Sequence, residues 1–162
     1  MSSIIVSPEV RITDSENDIK LYHYIQCSES SSETLKNTRG VVMNGNEEIL
    51  CKTFNFTPEY FSDEPDRIKQ VLEPIFDKCS FYKAEEGTLL RVWFYEDKWH
   101  ISSHKKLNAF NSRWGSSYSH GEMFRDAVKW QMDNGTLTHL NYETDNDVLD
   151  TFFNTLNTGK KI

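Results

Sequence analysis

Along this chain the apolar positions change period several times, and each change marks an element. Residues 39–43 (Arg39, Gly40, Val41, Val42, Met43) and 48–54 are two apolar-rich runs separated by Asn44 and Gly45. Asn-Gly between such runs predicts a β-hairpin, because both residues tolerate positive φ. Ile68, Val71, Leu72 and Ile75 recur at the spacing of one helical face. They predict a helix over 65–78 with Pro65 near its start, which Pro74 should kink or shorten. A second hairpin is predicted from strands 88–95 and 99–103, joined by Glu96, Asp97 and Lys98. Apolar residues on both sides of 88–95 predict a central strand covered on both faces.

Ser119 and Glu122 have the spacing of a capping box, which opens a helix through Met132. Phe124, Ala127, Val128 and Gln131 fall on one side of it, and Asn134-Gly135 marks its end. A last helix begins at about Thr144 and carries Val148, Leu149, Phe152, Phe153 and Leu156. The polar tract 28–33 suits a mobile surface loop between an N-terminal strand-like lead and the first hairpin. Strands that precede and interleave with helices predict an α+β fold, a largely antiparallel sheet with flanking helices. At 162 residues, one domain over 1–162 is expected.

Charge narrows the choice of partners. Eighteen basic against 25 acidic residues give a net charge of −7, which excludes broad, sequence-blind adhesion to nucleic acid or anionic membrane. Phosphate contact must then be local, and Lys98, Lys105, Lys106 and Arg113, clustered around His100 and His104, form such a patch. Ser102 and Ser103 add hydroxyls suited to phosphate or RNA-backbone contact, with a solvated basic loop as the equal alternative. His100 and His104 do not share a helical face, so no metal site is expected. The three cysteines lie far apart with no Cys-x-x-Cys pair, which indicates neither a disulfide framework nor a zinc site. No run of 18 apolar residues and no leader pattern occurs, so a soluble cytoplasmic protein without membrane contact is expected.

Lys83, Ala84, Glu85, Glu86, Gly87 and Thr88 stand directly before the second hairpin, where Gly87 lets the backbone approach a ligand and Thr88 offers a hydroxyl. Alone, this is a charged turn ahead of a strand. Upstream, however, come Thr38 to Met43 with an Arg-Gly pair, and then Thr57, Pro58, Glu59, Tyr60 and Phe61. This order, over roughly 35–115, resembles the T4 RNA ligase 1-like ATP-dependent RNA ligases, which are covalent nucleotidyltransferases. In that family an Arg-Gly strand, a Pro-x-x-Lys-aromatic-aromatic stretch and a Lys-x-Asp-Gly-Ser nucleotidylation motif follow one another.

The resemblance implies a nucleotidyltransferase half-domain of the ATP-grasp-like ligase kind, using ATP and Mg²⁺, with nucleotide and RNA 5′-ends as partners and kin among large viruses and phages. In the family a lysine amine attacks the α-phosphorus of ATP to form a lysyl-AMP phosphoramidate. Here Lys83 would be that nucleophile, and Arg39, Glu86, Gly87, Arg91 and Lys105 would bind the nucleotide. The chain departs from the pattern in three ways. Aligned on Gly87, the nucleophile position is Ala84 and Lys83 is one residue early; Glu59 replaces the lysine before the paired aromatics; and the family's C-terminal motifs have no counterpart after Arg113. A one-residue offset in extended chain turns a side chain to the opposite face. The alternative is therefore a noncatalytic nucleotide, RNA-end or cap-binding module, or a protein-interaction domain, derived from the same fold. A third is an unrelated α+β interaction domain. Trp93, Phe94, Trp99, Phe110 and Trp114 are expected mostly in the core, with Trp114 the candidate to stand exposed and stack a base.

Overall fold

The computed structural model describes residues 7–83 and 86–156. Ala84 and the terminal Lys160 and Lys161 lie outside the described residues. The structure is α+β. A four-stranded antiparallel sheet has the order β1(Val10–Glu16), β2(Ile19–Tyr24), β3(Arg39–Met43), β4(Ile49–Cys51), and a separate antiparallel pair comprises β5(Arg91–Tyr95) and β6(Lys98–Ser102). Helices α1(Glu33–Lys36), α2(Pro65–Leu72), α3(His120–Asn134) and α4(Val148–Phe153) connect or follow the strands. No helix among the described residues is long and apolar enough to cross a membrane.

The first expected hairpin is β3–β4, with a shorter second strand than the apolar run suggests. Its turn closes differently from expectation: the positive φ (61°) falls on Glu47, not on Asn44 or Gly45. Asn44 serves as the turn's polar brace, its Oδ1 accepting the N–H groups of Asn46 and Glu48. In the second hairpin the connection is two residues, Glu96 and Asp97 with φ 49° and 56°, and Lys98 already pairs with Tyr95. Two left-handed residues match the twist of the flanking strands. β5 belongs to a two-stranded ladder and is not central in a sheet, yet both its faces are used: Trp93 packs on one core cluster and Val92 on another.

Pro74 ends α2 as expected, converting the remainder to a 3₁₀ turn, Glu73–Lys78. The apolar face of this helix is only half-buried at Ile68 and Leu72 and is exposed at Val71 and Ile75. The capping box of α3 is complete, with Ser119 Oγ accepting from the Glu122 N–H and Glu122 accepting from the Ser119 N–H. Val128 and Met132 form its buried side, whereas Ala127 faces solvent. The serine tract is a hydrogen-bonded turn, the Ser31 N–H donating to the Ser28 carbonyl, that leads into Ser32, the cap of α1.

Three clusters make the core. Ile19, Leu21 and Val42 from the larger sheet meet Trp93 and Leu107; Leu21 and Val42 are fully buried, worth about 1.5–3 kcal/mol each relative to exposure. Ile101, Ala109 and Phe153 join β6 to α4. Val128, Met132 and Val148 join α3 to α4.

Candidate functional site

The inner face of the larger sheet changes character along β2. Ile19 and Leu21 are buried and apolar, and His23, two residues on, continues the same face. Directly opposite His23 stand Arg11 on β1 and Arg39 on β3, so three nitrogen-bearing side chains form a row across three strands. Two bulges create it. The β1–β2 register shifts between Ile12 and Asp14, where Thr13 is the extra residue, and the β2–β3 register shifts so that Gly40 is the extra residue beside Arg39. Gly40 has φ +66°, and a Cβ there would stand 2.8 Å from the Cβ of His104. Both facts require glycine.

His104 and Lys105 approach the row from the turn after β6. The Ser103 N–H donates to the Lys106 carbonyl at 2.9 Å, and Ser103 Oγ accepts the N–H groups of Lys105 and Lys106 at 3.3 and 3.1 Å. Asp14 ties this turn to β1, accepting the Leu107 N–H at 3.0 Å, with Lys106 Nζ 3.9 Å away. Arg91 runs beneath. Its two terminal nitrogens donate to the carbonyls of Gly40 and Ser103, while its buried Nε has no partner among the described residues. Burial lowers the Arg91 pKa from its ordinary value.

Arg11, His23, Tyr24, Ile25, Arg39, His104 and Lys105 line an open cavity of about 280 Å³. None of them is acidic, and among the described residues Arg11, Arg39 and Lys105 form no ion pair. Arg39 has only a long contact, 3.5 Å, from Nη1 to the Asn55 carbonyl. The His23 and His104 rings lie 5.5 Å apart. Burial, aided by Lys105, Arg39 and Arg11, holds His23 below the ordinary imidazole value. Burial, then His23, Arg39, Lys105 and Arg91, push His104 down to about 4. The His23 Nδ1–H donates to the Tyr24 carbonyl at 2.7 Å, so in the neutral ring Nε2 is an acceptor. Chemically, such a lining could accept an anion, and a phosphate would match its guanidinium forks.

Of the residues expected from sequence, the structure brings Arg39 and Lys105 together and sets Arg91 under them, its fork already engaged by backbone. Lys83, Glu86 and Gly87 lie on the exposed connection before β5 and are not among the lining residues. Thr88 Oγ1 contacts His120 Nε2 at 3.3 Å. Glu59 lines a second hollow of about 500 Å³, together with Cys27, Ser28, Glu29, Ser30, Phe56, Pro58 and Arg67. There Arg67 is paired with Glu29 at 2.7 Å and Glu64 at 2.6 Å and lies 4.9 Å from the Tyr60 ring. His100 is apart from His104, stacked on Trp93 at 4.2 Å. Among the described residues no three His, Cys, Asp or Glu side chains cluster as a metal site. Sequence reasoning missed Arg11 and His23.

No protein-family model and no solved structure matches the chain. Among curated proteins it is 32% identical over 107 residues to the immediate-early protein ICP-46 homolog of Invertebrate iridescent virus 3, covering 64% of this chain and 24% of that protein. It is 36% identical over 106 residues to the immediate-early protein ICP-46 homolog of Invertebrate iridescent virus 6, covering 63% of this chain and 23% of that protein. The chain thus spans about a quarter of the length of the curated relatives it matches.

Proposed function

We propose that this domain binds the phosphate of a nucleotide or of an RNA end, as a noncatalytic relative of the ligase-type nucleotidyltransferases. The observation that carries the reading is the cation row: on a chain of net charge −7, Arg11, Arg39 and Lys105 converge with two imidazoles on a cavity that no carboxylate lines. Like charges gathered in a partly enclosed site repel one another unless an anion joins them. Phosphate supplies that anion and accepts several charge-assisted hydrogen bonds at once.

Lysyl transfer asks more of the site, since the attacking amine must be held against the α-phosphorus to within a fraction of an ångström. Lys83 lies on the exposed connection and does not line the cavity, which favours binding over transfer. The lining suits the phosphates of ATP but offers no carboxylate to a divalent ion, so Mg²⁺ would enter as the nucleotide's own counterion.

Calorimetric titration with ATP, with a nucleoside 5′-monophosphate and with inorganic phosphate tests the reading. Saturable binding that weakens at least about tenfold in Arg39→Ala/Lys105→Ala supports it, that being the scale of one charge-assisted hydrogen bond; binding unchanged in that variant overturns it. Incubation with α-labelled ATP or GTP and Mg²⁺ or Mn²⁺ should leave no label on the denatured protein. Label that vanishes in Lys83→Ala would establish a nucleotidyltransferase instead.

A further inference from the structure

Between Ser112 and His120 the chain forms a loop closed at its base. The His120 N–H donates to the Ser112 carbonyl at 2.8 Å, and His120 Nδ1 lies 2.9 Å from Ser112 Oγ. Phe110 packs so tightly on the first turn of α3 that a Cβ on Gly121 would stand 2.5 Å from its ring. From this fixed base the loop carries Arg113, Trp114 and Tyr118 outward. Trp114 is 84% exposed, the most exposed of the four tryptophans, and Tyr118 is 59% exposed. The contrast with Trp93 is direct, since that indole is buried and its Nε1–H donates to Ser102 Oγ at 3.0 Å. Asn111, Ser112, Ser116 and Ser117 surround Trp114 in sequence, a more polar setting than the apolar centre of a protein-docking patch. An exposed indole that follows an arginine in sequence, among small polar residues, suits stacking of unpaired bases.

The base of the loop is linked through the chain to the residue that braces the cation cavity. Thr88 touches His120 at the loop's base, and Arg91 bonds Gly40 and Ser103 under the cavity. Thr88 and Arg91 are three positions apart, a chain span of at most about 11 Å. Cavity and loop are thus joined through the lead-in to β5, and a single-stranded oligomer, not a mononucleotide, would be the ligand to engage both.

We propose that the loop from Ser112 to His120 is a stacking platform for the unpaired bases of a single-stranded RNA whose phosphate occupies the Arg39–Lys105 cavity, with Trp114 carrying the stack and Arg113 contacting the backbone. The proposal deepens, and rests on, the phosphate-binding reading of the cavity.

The test compares uridine 5′-monophosphate, a short 5′-phosphorylated oligouridylate and an RNA duplex, by tryptophan fluorescence and filter binding at low salt, on the wild-type chain, Trp114→Ala, Trp114→Phe and Arg39→Ala/Lys105→Ala. The oligomer is expected to bind about 5- to 100-fold tighter than the monophosphate, the range one additional stacked base supplies. Trp114→Ala should erase that increment, leave monophosphate affinity intact and be largely rescued by Trp114→Phe. An oligomer that binds no better than the monophosphate, a duplex that binds as tightly as the single strand, or a Trp114→Ala chain identical to wild type overturns the platform while leaving the cavity reading in place. Oligomer binding that depends on Trp114 but not on Arg39 and Lys105 would instead keep the platform and remove the cavity. Binding of neither ligand overturns both.

Discussion

Two hollows on this domain each contain arginine, and they handle its charge in opposite ways. In the larger hollow Arg67 is held between Glu29 and Glu64, both within 2.7 Å, and lies against Tyr60. In the smaller, Arg11, Arg39 and Lys105 face two neutral imidazoles with no carboxylate in the lining. The first arrangement is self-sufficient; the second leaves its cations without a carboxylate among the lining residues. Volume and charge pairing thus rank the two hollows differently, the larger having its arginine paired and the smaller its cations unpaired by any lining carboxylate.

The comparison is broken most severely at Arg91. Arg91→Met leaves the Gly40 and Ser103 carbonyls without their donors and should cost about 2–4 kcal/mol in urea unfolding, as two unsatisfied buried acceptors would. Stability equal to wild type would remove Arg91 as the brace of the site. Next comes Gly40→Ala, which puts a side chain at φ +66° against His104 and should cost about 1–3 kcal/mol. Gly45→Ala, whose Cβ would meet Asp18 at an ordinary 3.4 Å, is the matched control expected to unfold near wild type.

Arg39→Ala alone should weaken nucleoside monophosphate binding about 10- to 100-fold, measured calorimetrically, because a charge-assisted hydrogen bond is lost without disturbing the fold. Arg67→Ala should leave that affinity unchanged, and a comparable loss there would erase the distinction between the hollows. The mildest effect is on pH dependence. His23 and His104 both titrate below their free value when folded, so under pH 6.5 the unfolded chain binds more protons than the folded one. Stability present above pH 6.5 should drain as the pH falls toward about 4, where His104 itself titrates. His104→Gln should flatten that decline in denaturation curves taken across the window; an unchanged slope would place the titrating groups elsewhere.

Much of the fold was legible because its signals are local. The capping box at Ser119 and Glu122, the break at Pro74 and the two hairpins depend on residues within a turn or two of one another. Turn detail was less so: Asn44-Gly45 located the reversal, but the left-handed residue is Glu47, since Asn44 is used for its side chain. The helical spacing of Ile68, Val71, Leu72 and Ile75 was read correctly, whereas its packing depends on what the rest of the chain offers, and Val71 and Ile75 remain exposed. Arg39 and Lys105 were marked by their motif and their charge. Arg11 and His23 were invisible for a definite reason. Counting outward from the Asn17–Asp18 turn opposes Arg11 to Tyr24, and only the extra residue at Thr13 moves it opposite His23. No local pattern announces a bulge, so the cation row appears only when three strands are laid side by side.

Gly40 gives this segment an arithmetic that the exposed connections lack. By adding one residue to β3 it reverses the parity of everything on the N-terminal side, which is why Arg39 emerges on the face that Val42 helps to seal. Deleting Gly40 would restore regular alternation and still leave Arg39 opposite His23, whereas inserting one further residue beside it would turn the arginine to the far side. The stretch from Arg39 to Val42 therefore has no room for an added residue, while exposed connections such as 28–32 are under no such count.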